Sequence, residues 1–431
     1  MRIAVIGAGI VGVTTAYELA ADGHEPTVYE RLSAVAGEAS FANAGLLAPG
    51  CVAPPGAPGM AGRVLRQSFG PHRRLRFGGA ELLTRLPWLW RWWRACGPRP
   101  YRDNRERLYR LARYSRERLH ACAARHGLDY QRSAPVTVLL RGPRELVAAE
   151  ATLRLLREWE VAHALVDAAH CRRIEPGLHP DTPLQGGIAQ PDAEAGNCRL
   201  FAQQLKAEAE QLGARFCFAT EVLDLDAPGA RAGRSAVQLR ARGVPGLAGS
   251  TPSPQERGFD AVVVCTGAAG NRLLRPLGLA LPLLPVHGHS VTAPLRDAGE
   301  GRLAGPRGAV LDQRHGVTVS RLGQRLRVAG SAGFGRAAAA HDPGALAMLY
   351  RVLDDWFPGA ARHAQAQAWK GARPMLPDGV PVIGAGARAG VWLNIGHGGS
   401  GWALACGSAR LLADQIGGRA PELDAAAYAM R

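Results

Sequence analysis

The sequence predicts an α/β fold, with a Rossmann-like unit at its N-terminus and a second, α+β part on a mixed or antiparallel sheet. Three stretches carry the α/β expectation: residues 1–30, the apolar run Phe259 to Gly267, and the glycine-interrupted segment Val391 to Ile416. A fourth, residues 281–334, alternates extended and turn signals (HGHSVTAPL, GVTVSRL, RLRVAGSAGF) and predicts the antiparallel sheet.

In the first stretch an apolar run from Ile3 to Ile6 breaks at Gly7-Ala8-Gly9-Ile10-Val11-Gly12. Helical spacing follows through Val13, Ala16, Tyr17 and Leu19, until Gly23 stops it. A second extended run, Pro26 to Tyr29, ends on Glu30, 18 residues past Gly12. Gly7 permits a tight turn, Gly9 lets backbone approach a pyrophosphate, and Gly12 lets helix pack on strand. The pyrophosphate then sits at the positive helix N-terminus, and Glu30 accepts a ribose hydroxyl. The pattern predicts dinucleotide binding.

Composition narrows the remaining classes. At 431 residues the chain is long enough for two or more domains, and 47% hydrophobic with 20% charged residues describes a globular chain. The formal charge of +16 rests almost wholly on scattered arginines, since Lys206 and Lys370 are the only lysines. With no basic run or recognition motif, nucleic acid is not an expected partner, whereas attraction to anionic lipid headgroups stays open. Eight singly spaced cysteines (51, 96, 122, 171, 198, 217, 265 and 406) predict reduced thiols in a cytoplasmic setting and no zinc site. Cys217 and Cys265 sit in apolar runs as small core residues. The N-terminal apolar run is too short for a signal peptide, and no run of eighteen apolar residues predicts a membrane span.

Along the chain, Ser33 to Pro49 is rich in small residues, which suits backbone lying against a flat ligand. Residues 81–95 (ELLTRLPWLWRWWRA) place four tryptophans in six positions. They predict a helix packed on the second domain, with contact to the inner face of the plasma membrane as the alternative. Helices are expected over 101–125, 145–159, 200–212, 343–356 and 402–416, and strands over 136–140, around Thr220-Glu221-Val222, and over 391–395. Residues 186–199 are expected as a loop, and the Gly/Pro/Ser-rich segment 227–258 as a mobile surface loop. Phe259 to Gly267 predicts a buried parallel strand whose Thr266-Gly267 end approaches the ligand. The loop Gly396-His397-Gly398-Gly399-Ser400-Gly401, ahead of Trp402, makes a second helix N-terminal anion site.

These motifs, with Ser40 to Gly45 and the run GARPMLPDGVPVIG, resemble the D-amino-acid oxidase superfamily and, within it, the FAD-dependent subunits of bacterial D-amino-acid dehydrogenases. The resemblance runs nearly the whole length. It implies a discontinuous FAD-binding domain (1–50, 186–280 and 371–431) and a substrate domain (51–185 and 281–370) whose sheet roofs the flavin. FAD would lie along Gly7 to Gly12, with Ile3, Ile6, Ala8, Ile10, Val11 and Tyr17 around that turn and Glu30 and Arg31 at the adenosine end. Val222 would offer backbone to the adenine, Asn43, Ala44 and Gly45 would pass near the flavin, and Gly396 to Trp402 would meet its ring. Arg373 would grip the substrate carboxylate, because a guanidinium fork pairs both oxygens. His287, His289 and His397 would add pocket polarity; His289 stands where the dehydrogenases carry Tyr. The implied reaction is oxidation of a D-amino acid by hydride transfer from Cα to flavin N5, with electrons passed to a quinone or other carrier. An oxygen-using oxidase for glycine, sarcosine or D-proline is the alternative, and a flavin- or NAD-binding protein without turnover is the non-enzymatic one.

Overall fold

A computed structural model of the chain describes residues 1–60, 79–227, 237–245, 254–296, 304–334 and 341–431. Two large sheets dominate it. The first has six strands, in the order Val382–Ala385, Val391–Ile395, Ala261–Val264, Arg2–Ile6, Glu25–Tyr29 and Arg215–Cys217. All its pairs are parallel except that of the edge strand Val382–Ala385. Ala261–Val264 is buried along its whole length, as a strand covered on both faces must be, which is why it reads as an unbroken apolar run. Ile6 pairs with Val264, and Val264 with Leu393. The glycine turn at Gly7, Thr266-Gly267 and the Gly396 loop therefore emerge together at the C-terminal edge of one sheet, where open α/β sheets bind their ligands.

Helix Ile10–Ala21 packs between helices Cys198–Gln211 and Gly401–Ile416. Residues Trp402 to Ala413 are all buried, so Gly401–Ile416 is a core helix with no solvent face. Helix Pro98–His126 covers it, starting with proline at its first turn and ending at Gly127 in the left-handed region.

The second sheet has eight strands, in the order Gln367–Met375, Leu284–Pro294, Arg325–Phe334, Val317–Leu322, Ala309–Asp312, Val136–Leu140, Gly186–Gln190 and Ala164–Asp167. Every pair is antiparallel except Ala309–Asp312 with Val136–Leu140, so the sheet is mixed. Helix Pro343–Trp356, capped by Asp342, closes a core over its Val317, Val319 and Val328 side.

Two expectations from composition need correction. The segment 227–258 is not simply a loop: Val237–Gly243 and Gln255–Phe259 pair with each other, and Val237–Gly243 pairs with Thr220–Asp226, in a three-stranded antiparallel sheet. Val237–Gly243 alternates buried and exposed residues strictly, a period-two signal hidden between Gly/Pro-rich flanks; residues 228–236 and 246–253 lie outside the described residues. Likewise Gly186–Gln190, expected as loop and placed in the cofactor unit, is a fully buried strand of the eight-stranded sheet. Its Gly-Gly start admits the close neighbours Val166 O and Val138 O, which would lie 2.5 and 2.9 Å from added Cβ atoms.

The tryptophan-rich helix runs Gly79–Ala95. Trp88 is buried against Leu284 and Val286, whereas Trp90 and Trp93 are 56% and 60% exposed. Packing accounts for one face only. No helix among the described residues is long and apolar enough to cross a membrane.

Candidate functional site

The C-terminal edge of the six-stranded sheet and the face of the eight-stranded sheet enclose a cleft of about 1570 Å³, part of it open to bulk water. The strand bearing Arg373 bridges the two: Met375 pairs with His397 of the glycine loop.

At the N-terminal turn Gly7 takes φ +101°, and a Cβ there would lie 2.9 Å from Cys265 O. A Cβ on Gly12 would lie 1.8 Å from Gly7 O, so helix and strand meet at a distance only glycine allows. Glu30 accepts from Ala8 N at 2.7 Å and Leu32 N at 2.9 Å, and burial pushes its carboxyl above the usual range. The carboxylate thus pins the glycine turn as well as facing the cleft. Ser40 Oγ accepts from Ile10 N at 3.0 Å, tying the small-residue loop to the helix start. Arg31 pairs with Glu38 on the rim, and Arg272 donates to Val222 O at 2.7 Å. Deeper in, Thr266 Oγ1 and Asn394 Oδ1 are buried without a partner among the described residues, an arrangement that a polar ligand in the cleft would relieve.

The next wall is a strap whose four consecutive carbonyls are all held from outside. Ser290 Oγ donates to Ala42 O at 2.7 Å, Arg327 Nη1 to Asn43 O at 3.2 Å, and Ser320 Oγ to Ala44 O at 2.8 Å. Trp402 Nε1 and Gly196 N donate to Gly45 O at 3.2 and 2.8 Å. The eight-stranded sheet therefore positions the backbone that lines the cleft at Ala42, Asn43 and Ala44. Arg327 is buried without an ion pair among the described residues, and burial pushes its guanidinium down to about 10, still charged at neutral pH. Arg327→Met keeps the volume and removes the donors. It should weaken flavin binding by roughly 5- to 150-fold, from about 1–3 kcal/mol for an orphaned buried carbonyl. Titration of apoprotein with FAD measures this; an unchanged dissociation constant would show that the strap needs no anchor at Asn43.

Across the cleft stands Arg373. Its guanidinium lies over Gly288, where a Cβ would come within 2.3 Å of Nη2, and its Nη1 donates to Ser331 O at 2.7 Å. It has no carboxylate partner among the described residues, and burial lowers its pKa. The cleft thus holds a desolvated cation short of an anion. The histidines behave differently. His289 Nε2 accepts from Asp342 N at 3.2 Å, so Nδ1 carries the proton toward Ser331 Oγ at 3.1 Å; both ring nitrogens are engaged. His287 is held below its ordinary value by burial and by Lys370, Arg373 and Arg85. Ser408 Oγ donates to Ala405 O and accepts from His397 Nε2 at 3.0 Å, and burial pushes the His397 imidazole down to about 3.

His397 therefore has a stability signature. Between about 6.5, its ordinary value, and about 3, the unfolded chain binds a proton that the fold refuses. Its contribution is present above about 6.5 and is lost as pH falls toward 3. In His397→Gln, Tm should fall less than in wild type on going from pH 7 to pH 4, measured by thermal melts of the holoprotein. Parallel acid curves would contradict the buried neutral imidazole.

Of the residues singled out from sequence, Ile6, Gly7, Gly9, Ile10, Val11, Glu30, Arg31, Asn43, Ala44, Val222, Thr266, Gly267, Arg373, Gly396, His397, Gly398, Gly399, Gly401 and Trp402 line this one cleft. Six do not. Ile3 is mid-strand and fully buried, Ala8 is fully buried behind its bond to Glu30, and Gly12 sits under Gly7. Tyr17 is turned to the far side of its helix, where its hydroxyl meets His126 Nε2 at 2.7 Å. Gly45 is spent on Trp402 and Gly196, and Ser400 N–H donates to His397 O at 3.1 Å. Residues that sequence reasoning missed include Gly288, Trp369, Arg272, Asn394 and the strap anchors Ser290, Ser320 and Arg327. The run HGHS drew notice for His287 and His289 only; Gly288, Ser290 and the others carried no local signal.

The volume of the cleft, the two glycine loops that line it and the Thr266 and Asn394 atoms unpaired among the described residues fit a bound FAD. Comparison with known proteins agrees. Residues 2–415 match the DAO family model, described as FAD dependent oxidoreductase. The chain is 40% identical over 432 residues to a D-amino acid dehydrogenase of Cereibacter sphaeroides, covering 99% of this chain and 94% of that protein. It is 37% identical over 437 residues to a D-amino acid dehydrogenase of Rhodopseudomonas palustris, covering 100% and 97%. Among solved structures, glycine oxidase from Geobacillus kaustophilus shares the fold, with a TM-score of 0.72 at 20% identity over 100% of this chain and 98% of that one. This chain therefore belongs to the DAO family of FAD-dependent oxidoreductases.

Proposed function

We propose that this enzyme oxidises D-amino acids to imino acids, which hydrolyse to 2-oxo acids and ammonia, and passes the electrons to a quinone or another carrier. The flavin, when bound, supplies the acceptor for the hydride leaving Cα, at its N5. The observation that carries the reading is Arg373: a desolvated guanidinium with no carboxylate partner among the described residues, in a cleft shaped for FAD. Its fork pairs both oxygens of a substrate carboxylate, and Gly288 leaves the space it occupies. His289 and His397 are held neutral, and His289 has both ring nitrogens in use. The chain's own residues thus bind and orient the substrate, and no strong general base is demanded if the amine binds neutral. The names of the relatives at 37–40% identity support D-amino acids as the substrate class.

We further propose a peripheral membrane contact through helix Gly79–Ala95. Its support is the stripe Leu86, Trp90 and Trp93, exposed by 50%, 56% and 60%, with Arg94 4.8 Å from the Trp90 ring centroid.

Anaerobic mixing of the yellow holoenzyme with D-amino acids, glycine, sarcosine and D-proline tests the reading. Bleaching by D-amino acids is expected, with little hydrogen peroxide on aeration. Bleaching by glycine or sarcosine with stoichiometric peroxide would favour the oxidase instead, and no bleaching by any amine would sink both.

A further inference from the structure

A second cavity of about 1210 Å³, partly open to solvent, lies beside the cofactor cleft. Leu281, Pro282, Leu376 and Val382 give it apolar walls. Leu376 also touches the cleft's own wall: its Cδ1 lies 2.5 Å from where a Cβ on Gly396 would stand, and Gly396 lines the cofactor cleft. Leu376 therefore backs onto a wall of the cleft while lining the second cavity. Asn104 lines the second cavity, is only 7% exposed, and its side-chain amide makes no hydrogen bond among the described residues. Neither polar atom of that amide is fully sealed from solvent, so its N–H groups open into the cavity, where a ligand can meet them. The nearby Asp378 is neutralised by Arg431 at 2.7 Å.

The remaining wall is the tryptophan-rich helix, through Arg91, Arg94 and Ala95. At about 3.6 residues per turn, these positions adjoin the stripe of Leu86, Trp90 and Trp93. Arg91 and Arg94 are exposed, so the cavity reaches the surface beside that stripe. Tryptophan and arginine on one exposed helix face are the composition that rests at anionic lipid headgroups.

We infer that this cavity is the binding site of a lipophilic quinone, drawn from the membrane face, that takes the electrons of amino-acid oxidation. The inference rests on the proposal above that a carrier receives them. A quinone has an apolar ring and tail and two carbonyls that only accept hydrogen bonds. The cavity offers apolar walls, the Asn104 amide as donor and a guanidinium rim. The exchange balances without a further oxidant. The amino acid loses two electrons and two protons as its C–N bond becomes C=N, and the quinone gains two electrons and two protons to become the quinol.

Ala95→Trp obstructs the cavity from its helix wall and Asn104→Leu removes the donor. In each, the holoenzyme should bind a short-tailed ubiquinone analogue at least tenfold more weakly by calorimetry. Reoxidation of dithionite-reduced enzyme by that quinone should slow by a similar factor. Flavin content and anaerobic bleaching by a D-amino acid should stay as in wild type, which shows that both variants fold. Wild-type quinone affinity and reoxidation in both variants would overturn the assignment, as would failure of the wild-type protein to bind the quinone. If no amino acid bleaches the wild type, yet dithionite-reduced enzyme still reduces the quinone and Ala95→Trp blocks it, the site stands and the D-amino-acid reading falls.

Discussion

Arg373→Ala should raise the apparent KM for the amino-acid substrate by roughly 30- to 5,000-fold while FAD stays bound. Truncating one partner of a buried, hydrogen-bonded charge pair costs about 2–5 kcal/mol, roughly 30- to 5,000-fold. Here the partner is the substrate's own carboxylate, since no carboxylate of the described residues occupies the guanidinium. The side chain lines the cleft but rests on Gly288, Ser331 and Gly399, away from the Gly7 turn and Glu30 at the nucleotide end, so loss of colour is not expected. Arg373→Lys should recover only part of the affinity, because an ammonium keeps the charge but loses the planar fork. Steady-state kinetics with each active amino acid, alongside flavin content, decide the matter. Unchanged KM in the alanine variant would remove Arg373 from the substrate site.

Gly12→Ala should abolish FAD retention. The added Cβ would lie 1.8 Å from Gly7 O and 2.9 Å from Gly7 C, a clash between two backbone segments that no rotamer relieves. Helix Ile10–Ala21 would have to lift from strand Arg2–Ile6, moving the N-terminus that faces the cleft. Gly9→Ala is the informative contrast. Its Cβ meets nothing nearer than Ser40 Oγ at 3.6 Å, so the apoprotein should fold with wild-type Tm. FAD affinity should nevertheless fall, because Gly9 lines the cleft where backbone approaches the pyrophosphate. The ratio of flavin to protein absorbance, with apoprotein melting curves, separates the two effects. Wild-type flavin content in Gly12→Ala would refute the close-packing argument.

The nucleotide end was legible because its chemistry is local. Strand, glycine turn, helix, strand and Glu30 occupy thirty contiguous residues, and within that unit Gly12 answers to Gly7 and Glu30 to Ala8. The C-terminal loop Gly396 to Gly401 was legible for the same reason, as a strand feeding a helix. Composition misled where it outweighed periodicity. The turn-rich flanks of 227–258 hid the alternating strand Val237–Gly243, and the glycines of Gly186–Gln190 read as loop although the sheet uses them for close contact.

By itself, then, the sequence determined the α/β class, the dinucleotide turn, the second glycine loop and the arginine set in a G-x-R-P context. Only the tertiary structure decided what surrounds them. Arg373 is seated by Gly288 and Ser331, the strap 42–45 hangs from Ser290, Ser320 and Arg327, and His289 is drawn to Asp342. The tryptophan-rich helix buries Trp88 but leaves Trp90 and Trp93 outside, beside a cavity that Asn104 and Leu376 complete. The physical reason is range. A turn, a cap or a helix stripe is set by residues within a few positions of one another. A hydrogen bond from residue 327 to residue 43 leaves no periodicity to read, because its geometry exists only once the sheets have packed.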